Sequence, residues 1–232
     1  SLTPSAFAIG AINVAAALPM LVFSLYGGVL ADRFDRRMII IITLAMLGGV
    51  SAIYAFLIGT DRIEYWHILA LAALAGVINS FELPAAQAYV SELVPKEDLP
   101  QAIALNSASF NSTRIVGPAV AASVIGVIGL AGAFVVNIFT LMAPIGTLMG
   151  LKRIMPARAK RTGKASGLSE LREGLKYVRA NDGILGLILL QGLISFFVSP
   201  NVLVLLPLYT TNVLGGSQGW VGWMLSAVGV GA

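Results

Sequence analysis

The chain has 232 residues, of which 57% are hydrophobic and only 11% charged, and its mean hydropathy is +0.88. That is too apolar and too poor in charge for an ordinary water-soluble domain, and the absence of cysteine excludes a disulfide framework and thiolate metal sites. The net charge of +4 does not point to nucleic acid, because the basic residues sit in short stretches between apolar runs, where they orient a membrane protein.

Charge is confined to blocks. Positions 1–31, 38–60, 65–81, 115–151 and 183–232 contain no Asp, Glu, Lys or Arg. A helix needs ~20 residues to cross a ~30 Å hydrocarbon core, whereas a membrane strand needs alternation over ~10 residues, and nothing here alternates. The pattern predicts an all-α membrane bundle with spans at 5–30, 38–59, 65–89, 101–127, 130–151 and 184–212, and another starting near position 217. No cleavable signal is expected, since the first residues carry no basic region and the first apolar run is too long. The run that starts near Trp220 continues to Ala232, so the chain is expected to be a piece of a longer protein.

Under this topology Arg33, Arg36, Arg37, Lys96 and the basic residues from Lys152 to Arg179 share one side, and Arg62 alone falls on the other. The positive-inside rule makes the first side cytoplasmic. Tyr65, Trp66, Trp220 and Trp223 gather at the opposite ends, as rings at a headgroup layer do. His67, the one histidine, stands beside Trp66 at a helix start, which favours an interfacial, structural role over proton carriage. The polar stretch 152–182 divides the chain into an amino-terminal bundle, 1–151, and the beginning of a second bundle, 183–232. Its first part is a basic, Gly- and Ser-containing linker. From Ser169, the helical spacing of Leu171, Leu175 and Val178 with charges between them predicts an amphipathic surface helix.

The stretch Gly28-Val29-Leu30-Ala31-Asp32-Arg33-Phe34-Asp35-Arg36-Arg37 follows the first span. Gly28 is suited to close approach by another helix, Asp32 to meeting a cation or a helix N-terminus, and Arg33, Arg36 and Arg37 to holding the turn on the cytoplasmic side. This stretch resembles the signature loop of the major facilitator superfamily, G-x-L-A-D-R-x-G-R-R, which joins that family's second and third helices. The resemblance covers the whole chain. It implies a bundle lacking the family's first helix, and a latch between the two halves at Asp32. Asp35 stands where the pattern has glycine, and Arg36 and Arg37 serve equally well as topogenic charges. A second resemblance, in Asn106 to Ala122, matches Gly117-Pro118 to the glycine-rich motif on the fifth helix of the superfamily's antiporters, although Thr113, Ala121 and Ala122 replace usual glycines. There Pro118 would bend the helix and Gly117 admit close packing against the other half.

Arg114 lies in the middle of a span, where a cation costs about 3 kcal/mol or more unless it is paired or faces water. The nearest deep acid is Glu82, before Pro84 in the preceding span. Rise per residue puts the two roughly 10 and 18 Å from their cytoplasmic helix ends, so they are expected to pair, or to share a water-linked network with Asn79, Gln87 and Asn111. In span 184–212, Gln191, Ser195, Asn201 and Tyr209 offer polar groups, and Pro200 and Pro207 offer breaks.

One His, no Cys and no Gly-rich loop with Lys leave little from which to assemble an enzyme or metal site, so no catalytic residue, metal or cofactor is expected. Few polar cavity residues suit amphipathic cargo better than sugars. GVLADRFDRR, AYVSELVPKEDLPQA and NSTRIVGP resemble the bacterial branch that holds enterobactin exporters and macrolide efflux pumps. The resemblance implies a secondary active exporter in the bacterial inner membrane, driven by the proton gradient and monomeric at full length. Its partners would be the bilayer and a small-molecule substrate, with no nucleic acid. Lysophospholipid translocation or solute uptake is the alternative.

Overall fold

The computed structural model describes residues 6–150, 176–200, 205–215 and 218–230. Among them there is no strand. The helices are α1 (Ala6–Arg33), α2 (Arg36–Gly59), α3 (Tyr65–Leu93), a 3-10 turn (Lys96–Asp98), α4 (Leu99–Gly150), α5 (Asp182–Pro200), α6 (Leu206–Asn212) and α7 (Gln218–Val230). A short helical turn also occupies residues 176–179. The rest of the expected linker and amphipathic helix, 151–175, lies outside the described residues.

Four helices are long and apolar enough to cross a bilayer, and α4, at 52 residues, is long enough to cross it twice. The two spans expected from 101 to 151 are joined without a loop: within α4 the backbone leaves helical geometry at one residue, Gly129, with φ 74° and ψ 174°. That combination is open essentially to glycine alone. The break makes a hairpin. Gly59 at the end of α2 lies against Ala131, while Arg37 at the start of α2 donates to the Met149 carbonyl, so the arm after Gly129 runs antiparallel to α2. The arm before it therefore runs from the arginine-bearing end toward the Trp66 end.

Within the expected span 184–212 the structure describes α5 and α6, with residues 201–204 outside the described set. Pro207 sits in the first turn of α6, where its missing N–H costs nothing.

Helix α1 packs chiefly on α3, α2 on α3 and α4, and α4 on α7. The buried apolar residues form two small clusters. Ala31, Ile39, Ile40, Leu44, Ala85 and Ile145 join α1 to α4 near the arginine end, and Val50, Leu71 and Ile78 fill the space between α2 and α3 nearer the other end. Large side chains such as Val127, Phe139, Leu187 and Phe197 stay exposed. A bilayer gives apolar helices little hydrophobic drive to associate, so helix association rests on close packing and interhelical hydrogen bonds.

The α1–α3 contact shows the first of these. A Cβ built on Gly27 would stand 2.0 Å from the Ser80 carbonyl oxygen, and one on Gly76 would stand 2.0 Å from that of Ala16. Each glycine aims a Cα hydrogen at the other helix's backbone, a reciprocal pair of weak C–H···O contacts. Pro84 has no N–H to give the Ser80 carbonyl, four residues before it, and Gly27 covers that oxygen. Close approach was expected of Gly28. The structure assigns it to Gly27, and among the described residues nothing lies within 4 Å of a Cβ on Gly28. Neighbouring helical positions point about 100° apart, so only one of the two glycines can face α3.

Candidate functional site

Three groups of residues carry the chemistry. The first is at the arginine-bearing end. Asp35 adopts an extended N-cap conformation and its side chain accepts the Arg37 N–H at 3.1 Å, which starts α2 after only Phe34 and Asp35 between the helices. The cap turns Arg36 inward. Its side chain is buried, its Nε donates to the Ala31 carbonyl and its Nη1 to the Ala88 carbonyl, each at 3.0 Å. Nη2 donates to Asp32 at 3.1 Å and Nη1 also pairs with Glu92 at 3.1 Å. One guanidinium thus joins a carbonyl in the last turn of α1 and the Ala88 carbonyl, five residues before the end of α3, to two carboxylates, a use for which its planar fork of donors is suited. Arg37 reaches the last turn of α4 through Met149. Cations near helix C-termini also complement the macrodipole.

Sequence reasoning placed the weight of this motif on Gly28 and Asp32. The geometry gives the centre to Arg36, while the Asp32 side chain is 67% exposed and Arg33 makes no ion pair among the described residues. Glu92 was missed. Its signal was an acid in the last turn of the third span, facing the arginines' side of the membrane.

The second group lies at mid-depth. Glu82 is half-buried on α3, two residues before Pro84 and one after Phe81, whose Cα abuts Gly27. Asn79 is half-buried and Gln87 exposed on the same helix; Asn111 and Arg114 are exposed on α4. The expected direct pair is not made: no ion pair joins Glu82 to Arg114, because α3 and α4 scarcely touch and α4 packs instead on α2 and α7. Gln191 is exposed on α5 and Asn201 lies outside the described residues. Asn137, not singled out in the sequence, donates to Ser51 at 3.0 Å across the α2–α4 contact, one turn from the stacked rings of Tyr54 and Phe134. His67 accepts the Glu64 N–H at 3.1 Å through Nδ1 and stacks near Trp66, so it caps the start of α3.

The third group is the α4–α7 contact. A Cβ on Gly222 would stand 2.8 Å from the Pro118 carbonyl oxygen and 2.6 Å from the Ala122 Cβ, so Gly222 of α7 is the residue that permits close approach. Gly117, to which that role was given, has among the described residues only Thr113 of its own helix within 4 Å of an added Cβ, at 3.8 Å. An apolar cleft of about 390 Å³ opens beside the contact, lined by Ile9, Pro118, Ala122, Pro207, Val221 and Gly222 among others.

These features define a polytopic α-helical membrane protein whose helices are clamped at one end by an Asp–Arg–Glu cluster and approach one another on glycine and proline. The chain belongs to the family described as transmembrane secretion effector, of the major facilitator superfamily, whose profile matches residues 1–232. It is 26% identical over 226 residues to the uncharacterized MFS-type transporter YfiS of Bacillus subtilis, covering 93% of this chain and 51% of that protein. It is 29% identical over 205 residues to macrolide efflux protein A of Enterococcus faecalis, covering 86% and 62%. Over 120 residues it is 30% identical to the staphyloferrin A transporter of Staphylococcus aureus, covering 51% and 30%. The chain spans about half the length of the curated relatives it matches over most of its own.

Proposed function

We propose that the full-length protein is a secondary active transporter of the bacterial inner membrane that exports small amphipathic molecules by alternating access, driven by protons and needing no cofactor. Residues 1–151 form most of one bundle, 152–182 the cytoplasmic connection and 183–232 the start of the other. The observation that carries the reading is Glu82. It is the one acid deep in a span, half-buried two residues before Pro84 in the unbroken helix α3, and it makes no ion pair among the described residues. A carboxyl group so placed can take up and release a proton as water reaches it. Arg114, Asn79, Asn111 and Gln87 supply the polar path, and the mostly apolar remainder of the spans suits cargo with few hydrogen-bonding groups. The name of the macrolide efflux relative supports efflux, and that of the staphyloferrin A relative supports membrane transport.

Glu82→Gln tests the coupling. The expected result is normal abundance in the membrane with proton-driven efflux lost. Full efflux by the variant removes Glu82 from the mechanism.

A further inference from the structure

One hydroxyl among the described residues is buried with no hydrogen-bond partner: Ser226 Oγ on α7, in a residue only 7% exposed. A buried hydroxyl left unpaired is costly, and in a membrane there is no water nearby to relieve it. Its position in the fold names the missing partner. Gly222, one turn earlier on the same face of α7, lies directly over the Pro118 carbonyl of α4. The start of α7 is assigned to the Trp66 end, because Trp220 and Trp223 in its first turns join Tyr65 and Trp66 as rings of one headgroup layer. Helix α7 therefore runs away from that end, antiparallel to the arm of α4 before Gly129. A step of one turn from Gly222 to Ser226 is then matched by a step of one turn from Pro118 back to Arg114, roughly 6 Å on each helix.

The Arg114 carbonyl is the one that Pro118 strips of its helical donor, since a proline four residues on has no N–H to give. A buried donor on α7 and a carbonyl deprived of its donor on α4 thus stand at the same level of the same contact. We infer that Ser226 donates to the main-chain carbonyl of Arg114, closing an interhelical hydrogen bond after rotation of the serine side chain and a small settling of α7. The bond makes Pro118 more than a kink: the proline frees an acceptor for the facing segment. It also ties the backbone of Arg114 to α7 at the contact between the two bundles. It depends on the packing of α4 and α7 and not on the cargo or its direction, so its failure would leave the export reading standing, and the converse holds.

A double-mutant cycle on the full-length protein tests it. Ser226→Ala is made in the native background and in Pro118→Ala, where residue 118 supplies the N–H itself. Melting in detergent and efflux in cells are read for all four proteins. Ser226→Ala is expected to lower the midpoint by about 1–4 °C and to slow efflux when Pro118 is present, and to change neither in the Pro118→Ala background. If Pro118→Ala yields too little protein to melt, Pro118→Gly restores the same N–H and completes the cycle. Equal losses in both backgrounds would show that Ser226 only fills space, and no loss in either would show that it makes no bond; each overturns the inference.

Discussion

Replacing Gly27 by alanine drives a methyl group into the α3 backbone. The new Cβ would lie 2.0 Å from the Ser80 oxygen, 2.9 Å from its carbon and 3.3 Å from the Phe81 Cα. An ordinary carbon–oxygen contact needs ~3.3 Å, so the two backbones must part by roughly 1 Å or more. No side-chain rotation relieves this, because the obstructing atoms are main chain. Parting the helices also uncovers the carbonyl that Pro84 has left without its donor. Overpacking of this kind costs about 1–3 kcal/mol, or roughly 2–12 °C of melting midpoint for a chain of this size. Gly28→Ala is the matched control, with nothing among the described residues within 4 Å of the added carbon and the same gain in helix propensity. Thermal melting of the purified variants in one detergent decides the matter. A large drop for Gly27→Ala beside little change for Gly28→Ala is expected, and equal midpoints, or the reverse order, would refute the assignment of the α1–α3 contact to Gly27.

Arg36→Ala removes donors to the Ala31 and Ala88 carbonyls and leaves Glu92 without its cation, which should cost up to about 3 kcal/mol, the lower part of the range for broken ion pairs because both carboxylates keep some solvent contact. Arg36→Lys should recover less than half of the lost abundance, since an ammonium cannot span four acceptors, and full recovery would show that charge alone matters there. Gly129→Ala places a side chain at φ 74° and ψ 174° and should destabilise by about 1–3 kcal/mol, seen as a lower midpoint or faster proteolysis near the hairpin tip; an unchanged midpoint would mean that the turn relaxes freely.

The spans were legible because a bilayer forbids charge over ~20 residues, a rule that acts on sequence directly. The same rule isolated Glu82 and Arg114 as the deep ionisable groups. What could not be read was which face of each helix meets which neighbour. Gly27 and Gly28 look alike in the sequence, and only the rotation of α1 about its axis separates them. The proximity of Glu92 to Arg36 required the end of α3 to be brought to the start of α2, a contact between residues 56 positions apart. The partner of Pro118, Gly222, lies over a hundred residues away, so the glycine within the motif itself attracted the role that the facing helix fills. The Glu82–Arg114 pair failed for a similar reason: depth along a helix can be counted from sequence, but the distance between α3 and α4 cannot.

The most direct test of the proposed function is transport of a fluorescent amphipathic compound by the full-length protein in everted membrane vesicles under an imposed proton gradient. Accumulation that depends on the protein and collapses when a protonophore is added is the predicted result. Accumulation confined to right-side-out vesicles, or indifferent to the gradient, would contradict proton-driven export.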